Sequence, residues 1–247
     1  MARFILIHGA WHGAWCWDRI GPILRAAGHE VVAPDLPGMG SDSVPLEPDV
    51  LSQWAEFVAD LVRRRDDAPI VLGHSRGGIV ISEAAERVPD AIGCLVYLAA
   101  FLLPAGLTIR EQLSSGGQSK LFGALRRSED HAWTTVHPNA ATGLFYNLTD
   151  EVDARWAISR LTPEPVAAVT RPLRITDVNF GRVPRIYIEA EYDQAIPLPI
   201  QREMHARLSC QRVISLPSDH SPFLSKPDLL ARVLLDLPRR TVRASGA

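Results

Sequence analysis

The sequence contains little cysteine and no excess of charge of either sign. Its three cysteines, Cys16, Cys94 and Cys210, are far apart in 247 residues, a pattern typical of neither a disulfide framework nor a zinc site. Lysine and arginine number 26 and aspartate and glutamate 28, which leaves a net charge of −2. Nucleic acids and anionic membranes attract a basic excess, so we expect neither as a partner, and the scattered cysteines favour a cytoplasmic location.

Long hydrophobic runs are also absent from the sequence. One long uncharged stretch, residues 91–107, is interrupted by Gly93, Pro104 and Gly106 and is shorter than the roughly 20 residues of a membrane-spanning helix. The first apolar run, residues 4–7, is too short for the core of a signal peptide. Hydrophobic residues nevertheless make up 47% of the chain, which predicts a globular protein that folds without disulfides or a metal.

Short apolar runs alternate with helical patterns in the first part of the chain. The runs show no polar alternation, which is typical of strands buried on both faces of a parallel sheet, and they lie at residues 4–7, 31–33, 70–72 and 94–98. Between them, the apolar spacing predicts a helix at 17–24 that ends near Gly28 and a helix at 51–61 with Asp49 as its N-cap. A third helix is predicted over 76–88. This order predicts an α/β protein with a doubly wound, mostly parallel sheet.

The alternation stops in the middle of the chain and then resumes. The middle contains short helical pieces interrupted by Gly, Ser, Pro and aromatic residues, without clean strand runs. Strands at 185–190 and 212–216 and helices at 198–208 and 228–237 follow. The resulting prediction has three parts: an α/β core of residues 1–103 and 182–238, an inserted helical cap of residues 104–181, and a frayed tail of residues 239–247.

The strongest chemical signal is the segment 73–78, Gly-His-Ser-Arg-Gly-Gly, which lies between a predicted strand and a predicted helix. This setting is typical of the nucleophile elbow G-x-S-x-G, whose glycines avoid clashes in a tight turn. The turn would present the hydroxyl of Ser75 above the sheet and leave the amide of Arg76 at a helix N-terminus, where it can bind an oxyanion. A phosphate-binding loop is disfavoured, because the P-loop lysine and the full dinucleotide-binding spacing are lacking.

A serine nucleophile needs a base and an acid that orients the base, and such folds supply them late in the chain in the order Ser, acid, His. Asp193 and His220 each follow a predicted strand, as Ser75 does. Active sites of open α/β sheets form at the carboxyl ends of strands, so we expect the three side chains to converge there. Three rival acids lie nearby in the sequence: Glu189, Glu191 and Asp219. Four histidines are predicted to be structural or exposed: His29, His131, His137 and His205.

The loop after the first predicted strand, residues 8–13, has the sequence His-Gly-Ala-Trp-His-Gly. In folds with this elbow, such a loop donates the second amide of the oxyanion hole, and the backbone of Ala10 is the best-placed donor. His8 and His12 have the spacing of metal ligands on a helix, but the two glycines of the loop argue against a helix. We therefore expect no metal and no other cofactor.

The motifs of four segments resemble those of α/β-hydrolases in the plant methylesterase and hydroxynitrile lyase group, together with bacterial esterase relatives. The segments are 4–17, 73–78, 193–197 and 219–222. The resemblance spans nearly the whole chain and is vague only across the predicted cap. It implies a catalytic triad, an oxyanion hole made of two amides, and a helical cap; the triad would be Ser75, Asp193 and His220, and the amides those of Ala10 and Arg76.

Two positions separate esterases from lyases in this group. Lyases that resemble the chain carry Thr after the first histidine of the N-terminal motif, where it contacts the cyanohydrin hydroxyl. They carry Lys after the catalytic histidine, where its charge stabilises departing cyanide. These positions are Gly9 and Ser221 here, so the resemblance implies a serine carboxylesterase for small to medium esters. Arg76 departs from the apolar residue of many relatives, and we expect its side chain to alter substrate preference or to pair with a nearby acid.

Other functions stay open. A hydroxynitrile lyase or a C–C bond hydrolase would use the same triad, and a small-molecule receptor would keep the pocket with residual hydrolase activity. Cyanide release from mandelonitrile would favour the lyase, whereas tight ligand binding with negligible turnover would favour the receptor. We expect a small-molecule ester as the partner in the reaction and leave the oligomeric state open, with a homodimer among the options.

Overall fold

The computed structural model describes residues 1–116 and 119–244. The strands in these residues are β1 (Arg3–Ile7), β2 (Glu30–Val32), β3 (Ile70–His74), β4 (Cys94–Leu98), β5 (Leu125–Arg127), β6 (Trp133–Val136), β7 (Glu164–Pro165), β8 (Arg185–Ala190) and β9 (Arg212–Leu216). Six of them form a parallel sheet in the order β2-β1-β3-β4-β8-β9. The other three form a small antiparallel sheet, β5-β6-β7.

Helices connect and cover these strands. The α-helices are α1 (Ile20–Ala26), α2 (Val50–Arg63), α3 (Gly77–Arg87), α4 (Ile109–Gly116), α5 (Pro138–Phe145), α6 (Glu151–Ile158), α7 (Ala167–Thr170), α8 (Leu198–Arg207), α9 (Pro222–Ser225) and α10 (Pro227–Ala244). Short 3₁₀ helices lie at Ala14–Trp17, Pro89–Ala91, Phe122–Ala124 and Phe180–Arg182. In the part of the chain that the structure describes, none of the helices combines the length and the apolar character that crossing a membrane requires.

The inner strands of the large sheet are apolar because helices cover both of its faces. β3 and β4 are buried along their whole length. The chain passes from β1 to β2 through α1, and it then crosses back to β3 through α2 and on to β4 through α3. Right-handed crossovers in opposite directions put α1 on one face and α2 and α3 on the other. α10 packs beside α1, and α2 packs against α3. The predicted α/β fold around a mostly parallel sheet is confirmed.

Local signals end the first core helices where the sequence predicts. The side chain of Asp49 caps α2 by accepting a hydrogen bond from the amide of Ser52 at 3.1 Å. Gly28 follows α1 with φ +83, in the left-handed region that favours glycine. Short-range chemistry therefore accounts for these boundaries.

The insertion and the C-terminus differ from the prediction. The insertion carries β5, β6 and β7 besides its helices, whereas the sequence analysis predicts no strands there. These strands have 3, 4 and 2 residues, too few to produce a recognisable apolar or alternating pattern. The tail is predicted to fray from residue 239, whereas α10 extends beyond that position to Ala244. Residues 245–247 of that tail lie outside the described residues.

The topology puts the predicted site and the insertion on the same side of the molecule. All six strands of the large sheet run in one direction, so their carboxyl ends share one edge. Ser75 follows β3, Asp193 follows β8 and His220 follows β9. The insertion leaves the same edge from the carboxyl end of β4, which lies between β3 and β8.

Candidate active site

The turn between β3 and α3 is as tight as the elbow motif predicts. Ser75 has φ +53, a left-handed conformation that costs about 1 kcal/mol or more in a residue other than glycine. A Cβ atom on Gly73 would lie 2.6 Å from the carbonyl group of Gly77, and one on Gly77 would lie 2.9 Å from the carbonyl oxygen of His8. The amide of Ser75 donates to the carbonyl of Leu98 at 3.2 Å. Only glycine fits at the positions two residues before and two residues after the serine.

Ser75, His220 and Asp193 form a continuous chain of hydrogen bonds. Nε2 of His220 lies 3.0 Å from Oγ of Ser75, and Nδ1 of the same ring lies 2.7 Å from Oδ2 of Asp193. A carboxylate can only accept, so Nδ1 carries the proton and Nε2 faces the hydroxyl as an acceptor. All three residues are buried. The structure thus brings together the three side chains that the sequence analysis selects.

The carboxylate of Asp193 is fixed by backbone donors of its own loop. Its Oδ1 atom accepts from the amides of Ala195 and Ile196, each at 2.8 Å. Burial raises the pKa of this carboxyl, while the charge of His220 and these hydrogen bonds favour the ionised form and oppose the shift. One oxygen is therefore occupied by the backbone, and the other faces the imidazole.

The rival acids have other partners or lie in solvent. Glu189 accepts from Nε2 of His205 at 2.8 Å and from Oγ of Ser215 at 2.7 Å. Asp219 accepts from the amide of Ser221 at 3.0 Å. Glu191 is exposed. The structure therefore places Asp193, and none of the three rivals, against the imidazole of the candidate base.

Two backbone amides adjoin the candidate nucleophile. Ala10 and Arg76 line the same small pocket as Ser75 and His220. Arg76 directly precedes α3, so its amide lies at the positive end of the helix dipole. Among the described residues, no backbone carbonyl accepts a hydrogen bond from either amide. Both N–H groups are thus available to a ligand in this pocket.

Three further histidines surround the triad and stay neutral. Burial lowers the pKa of His8 and of His12 to about 3, and it lowers the pKa of His74 well below the ordinary value. His74 donates from Nε2 to the backbone carbonyl of His220 at 2.8 Å, which fixes the backbone that carries the candidate base. His12 donates from Nδ1 to the carbonyl of Ala10 at 2.7 Å. The sequence analysis assigns no role to His74, although its position beside the nucleophile was a usable signal.

The side chain of Arg76 pairs with an acid of the insertion, which is one of the two outcomes expected for it. Nε of Arg76 lies 2.9 Å from Oε1 of Glu164, and both side chains are 1% exposed. Nη2 donates to the carbonyl of Gly9 at 3.1 Å, and Cζ lies 4.2 Å from the ring centre of Trp54. Burial lowers the pKa of the guanidinium and raises the pKa of the carboxyl, while their mutual attraction opposes both shifts. The sequence analysis missed Glu164, because nothing local marks its two-residue strand.

The pocket beside Ser75 is small and adjoins a larger chamber. The inner pocket has a volume of about 30 Å³ and the outer chamber about 510 Å³. Both are lined by Trp11, Ile109, Leu121 and Val169. Most of the lining of the outer chamber comes from the insertion, which therefore forms a cap over the candidate site.

The structure combines a parallel sheet flanked by helices with a serine at a nucleophile elbow, and a histidine and an aspartate approach this serine from the ends of later strands. These features define a hydrolase of the α/β type. The sequence model described as "Alpha/beta hydrolase family" matches residues 4–233. The chain belongs to this family.

Relatives of the chain occur in a plant and in a bacterium. It is 33% identical to putative methylesterase 11 (chloroplastic) of Arabidopsis thaliana over 96% of its own length, and it spans 64% of the length of that protein. It is 32% identical to the pyrethroid hydrolase of Sphingobium wenxiniae, with 94% of this chain and 86% of the relative covered. The crystal structure of tomato methylketone synthase I complexed with 2-tridecanone superposes with a TM-score of 0.84 at 26% identity, covering 97% of this chain and 98% of that one. The predicted resemblance to plant methylesterases and bacterial relatives is confirmed.

Proposed function

We propose that the protein is a serine carboxylesterase that hydrolyses small to medium esters through an acyl-enzyme. The observation that carries the proposal is the chain of hydrogen bonds from Asp193 through His220 to Ser75, with lengths of 2.7 and 3.0 Å. It puts a base and the acid that orients it behind a hydroxyl at the wall of a pocket. Relatives named methylesterase and pyrethroid hydrolase agree with the predicted class of carboxylic-ester hydrolase.

The first half of the reaction acylates the serine. Nε2 of His220 takes the proton of Ser75 as Oγ attacks the ester carbonyl carbon. The carbonyl oxygen becomes an oxyanion, which accepts hydrogen bonds from the amides of Ala10 and Arg76. Loss of one such donor typically raises the barrier by about 3–4 kcal/mol. The protonated imidazole then gives its proton to the departing alcohol, and the acyl group stays on Oγ.

The second half of the reaction returns the free enzyme. A water molecule gives a proton to Nε2 of His220 and attacks the acyl carbonyl, and the same two amides stabilise the second oxyanion. Collapse of this intermediate releases the carboxylic acid and restores the hydroxyl of Ser75. In both halves Asp193 keeps Nδ1 of His220 protonated and stabilises the imidazolium. The imidazole must therefore lie between the carboxylate and the serine hydroxyl.

The cavities support an ester with one small and one large part. The inner pocket of about 30 Å³ accommodates a group of the size of a water molecule or a methyl group beside Ser75. The outer chamber of about 510 Å³ has room for an apolar or aromatic part, and its walls include Leu113, Phe122 and Leu125. An ester bond that lies between these two spaces would reach the nucleophile.

The geometry around Gly9 disfavours the lyase alternative. A Cβ atom at this position would lie 2.9 Å from both Cβ of Ser75 and Nδ1 of His74, so a threonine has no room without rearrangement of the elbow. Ser221, in the position of the lyase lysine, has no charge to offer to cyanide. A small-molecule receptor would have the same pocket, so a measurement of ester turnover distinguishes it from an esterase.

The test compares two serine-to-alanine variants on a panel of methyl, aryl and lactone esters. We expect Ser75→Ala to lower kcat by about 10⁴-fold or more, because the nucleophile is lost, with an unchanged unfolding temperature. Ser159→Ala, which removes an exposed hydroxyl in the cap, serves as the matched control and should keep full activity. A serine-directed phosphonate should label the wild type on the peptide that contains Ser75. Full turnover by Ser75→Ala would refute the proposal, and binding of esters without turnover by the wild type would favour a receptor.

A further inference from the structure

The peptide between Gly9 and Ala10 is held from its carbonyl side. The oxygen of Gly9 accepts hydrogen bonds from Nη2 of Arg76 at 3.1 Å and from Nδ1 of His8 at 2.9 Å. A trans peptide is planar, and its C=O and N–H groups point in opposite directions. Fixing the oxygen therefore aims the amide of Ala10 away from the guanidinium, toward the pocket that it shares with Ser75.

The peptide between Ala10 and Trp11 is held by Glu164, which forms an ion pair with Arg76. The amide of Trp11 donates to Oε2 of Glu164 at 3.2 Å. Trp11 has φ +60, a conformation that a residue other than glycine keeps only when its surroundings enforce it. The amide of Thr162, also in the cap, donates to the carbonyl of Trp11 at 2.8 Å. The two peptides on either side of the Cα atom of Ala10 are thus fixed by Arg76 and by Glu164.

Stability alone is a weak reason for this buried ion pair. Both side chains are 1% exposed, and removing two charges from water costs about as much as their attraction returns. Apolar residues of similar volume often replace such a pair without loss of stability. What apolar residues cannot replace are the two hydrogen bonds to the loop, from Arg76 to Gly9 and from Trp11 to Glu164.

We propose that Arg76 and Glu164 are positioning residues that hold the amide of Ala10 in place for the oxyanion. Arg76 then serves the site twice, with its own amide as one donor and with its side chain setting the direction of the other. Glu164 belongs to β7, so the cap completes the oxyanion hole. The inference rests on the proposed function, since acyl transfer through Ser75 is the reaction that needs this hole.

A double substitution distinguishes two roles of the ion pair: holding the amide of Ala10 in place, and only attaching the cap to the core. Arg76→Met and Glu164→Leu are made singly and together, and four quantities are measured: kcat, KM, the unfolding temperature, and inhibition by a trifluoromethyl ketone and a methyl ketone of the same chain length. The trifluoromethyl ketone accepts Oγ of Ser75 at its carbonyl carbon, its oxygen becomes an oxyanion, and the serine proton moves to His220. The methyl ketone binds the pocket largely without this addition and reports on pocket shape.

The single substitutions should lower the unfolding temperature, because each leaves a buried charge without its partner. The double variant should recover most of that loss, yet its kcat should remain about 10- to 100-fold low, somewhat less than the effect of deleting a donor outright. KM should change by less than about threefold, and affinity for the trifluoromethyl ketone should fall in parallel with kcat while the methyl ketone is unaffected. A double variant that recovers kcat together with stability, or that loses both ketones equally, would overturn the inference.

A second variant keeps the inference testable if the double variant does not fold. Arg76→Lys retains the charge next to Glu164, but a single ammonium cannot reproduce the forked contacts to the carboxylate and to the carbonyl of Gly9. We expect the same selective loss of kcat and of trifluoromethyl ketone affinity. Full activity of Arg76→Lys would overturn the inference.

The matched control is another ion pair that joins the cap to the core. Arg171 contacts Glu83 at 2.7 Å, with 13% and 1% of the side chains exposed, between α7 and α3. Arg171→Met should lower the unfolding temperature and leave kcat and both ketone affinities unchanged. A selective loss of trifluoromethyl ketone affinity in this variant as well would overturn the inference, because any cap anchor would then act alike. If the wild type hydrolyses no ester and Ser75→Ala changes nothing, the proposed function fails and this inference fails with it.

Discussion

The edge of the parallel sheet and the cap above it hold their functional groups over different distances along the chain. At the sheet edge, Asp193 is fixed by the amides of Ala195 and Ile196, two and three residues further on. In the cap, Glu164 contacts the side chain of Arg76 and the amide of Trp11, which are 88 and 153 residues away. The carboxylate of Asp193 is thus fixed by a local turn, whereas the contribution of the cap exists only once distant segments have packed together.

The largest expected effect lies at the sheet edge, in the substitution Asp193→Asn. The amides of Ala195 and Ile196 would select the carbonyl oxygen of the new side chain and turn its NH₂ group toward His220. The ring would then be protonated at Nε2 and unable to accept the serine proton. We expect kcat to fall by about 10³- to 10⁴-fold with little change in the unfolding temperature, measured by ester hydrolysis and thermal denaturation.

The control for this substitution is Glu191→Gln, two residues earlier and exposed, which should leave kcat unchanged. If Asp193→Asn lost less than tenfold in kcat, the orienting acid would have to be sought among the rivals. Glu189 and Asp219 contact other partners in this structure, so one of them would have to move to reach His220. The description of a locally fixed acid at the sheet edge would then be wrong.

A pair of glycines compares the two regions in terms of stability. Gly73→Ala would bring a Cβ atom to 2.6 Å from the backbone of Gly77, and we expect it to lower the free energy of unfolding by about 1–3 kcal/mol. Gly143 lies in helix α5 of the cap with nothing within 4 Å of an added Cβ atom, so Gly143→Ala should raise that free energy by about 0.5–1 kcal/mol. Urea denaturation measures both. Equal effects of the same sign would contradict the description of the elbow as a close-packed turn.

A further expected effect is a pH dependence of stability that arises from the buried histidines near the sheet edge. Below the ordinary pKa of about 6.5 the unfolded chain binds a proton at His12, whereas burial keeps the folded form neutral down to a pKa of about 3. Acid therefore favours unfolding throughout this interval. In His12→Gln, the drop in unfolding free energy between pH 7 and pH 5 should be about 2 kcal/mol smaller than in the wild type.

His131→Asn provides the comparison for this pH effect. His131 is exposed in the cap and has φ +59, a conformation that asparagine tolerates. The pH dependence of the unfolding free energy is measured for this exposed-site variant alongside His12→Gln and the wild type. An unchanged dependence in His12→Gln would show that the buried ring does not resist protonation as described.

Local patterns predicted much of the fold and of the candidate site. The first four strands of the parallel sheet lie where unbroken apolar runs occur, Asp49 caps α2, and the glycines around Ser75 are needed for the turn. Ser75, Asp193 and His220 could be selected because strand ends of a parallel sheet share one edge. Each of these inferences uses a periodicity or a turn preference that acts within a few residues.

The cap was predictable only as an interruption of the pattern. Its strands have 2–4 residues, so neither alternation nor apolar runs reveal them, and β7 pairs with β6 from about 30 residues further along the chain. The partner of Arg76 was expected only as a nearby acid. That it is Glu164 follows from the placement of β7 over the elbow, which depends on the packing of the whole insertion.

The amino-acid sequence by itself determined the parallel sheet, the tight turn that carries Ser75, and the strand ends from which Asp193 and His220 project, because apolar periodicity and glycine conformations act over short stretches. Only the tertiary structure decided that a buried carboxylate of the cap pairs with Arg76 and that this pair fixes the loop around Ala10. The physical reason is that a buried charge finds its partner only when distant segments fold into one low-dielectric interior. Short-range sequence preferences do not predict which two segments will pack together.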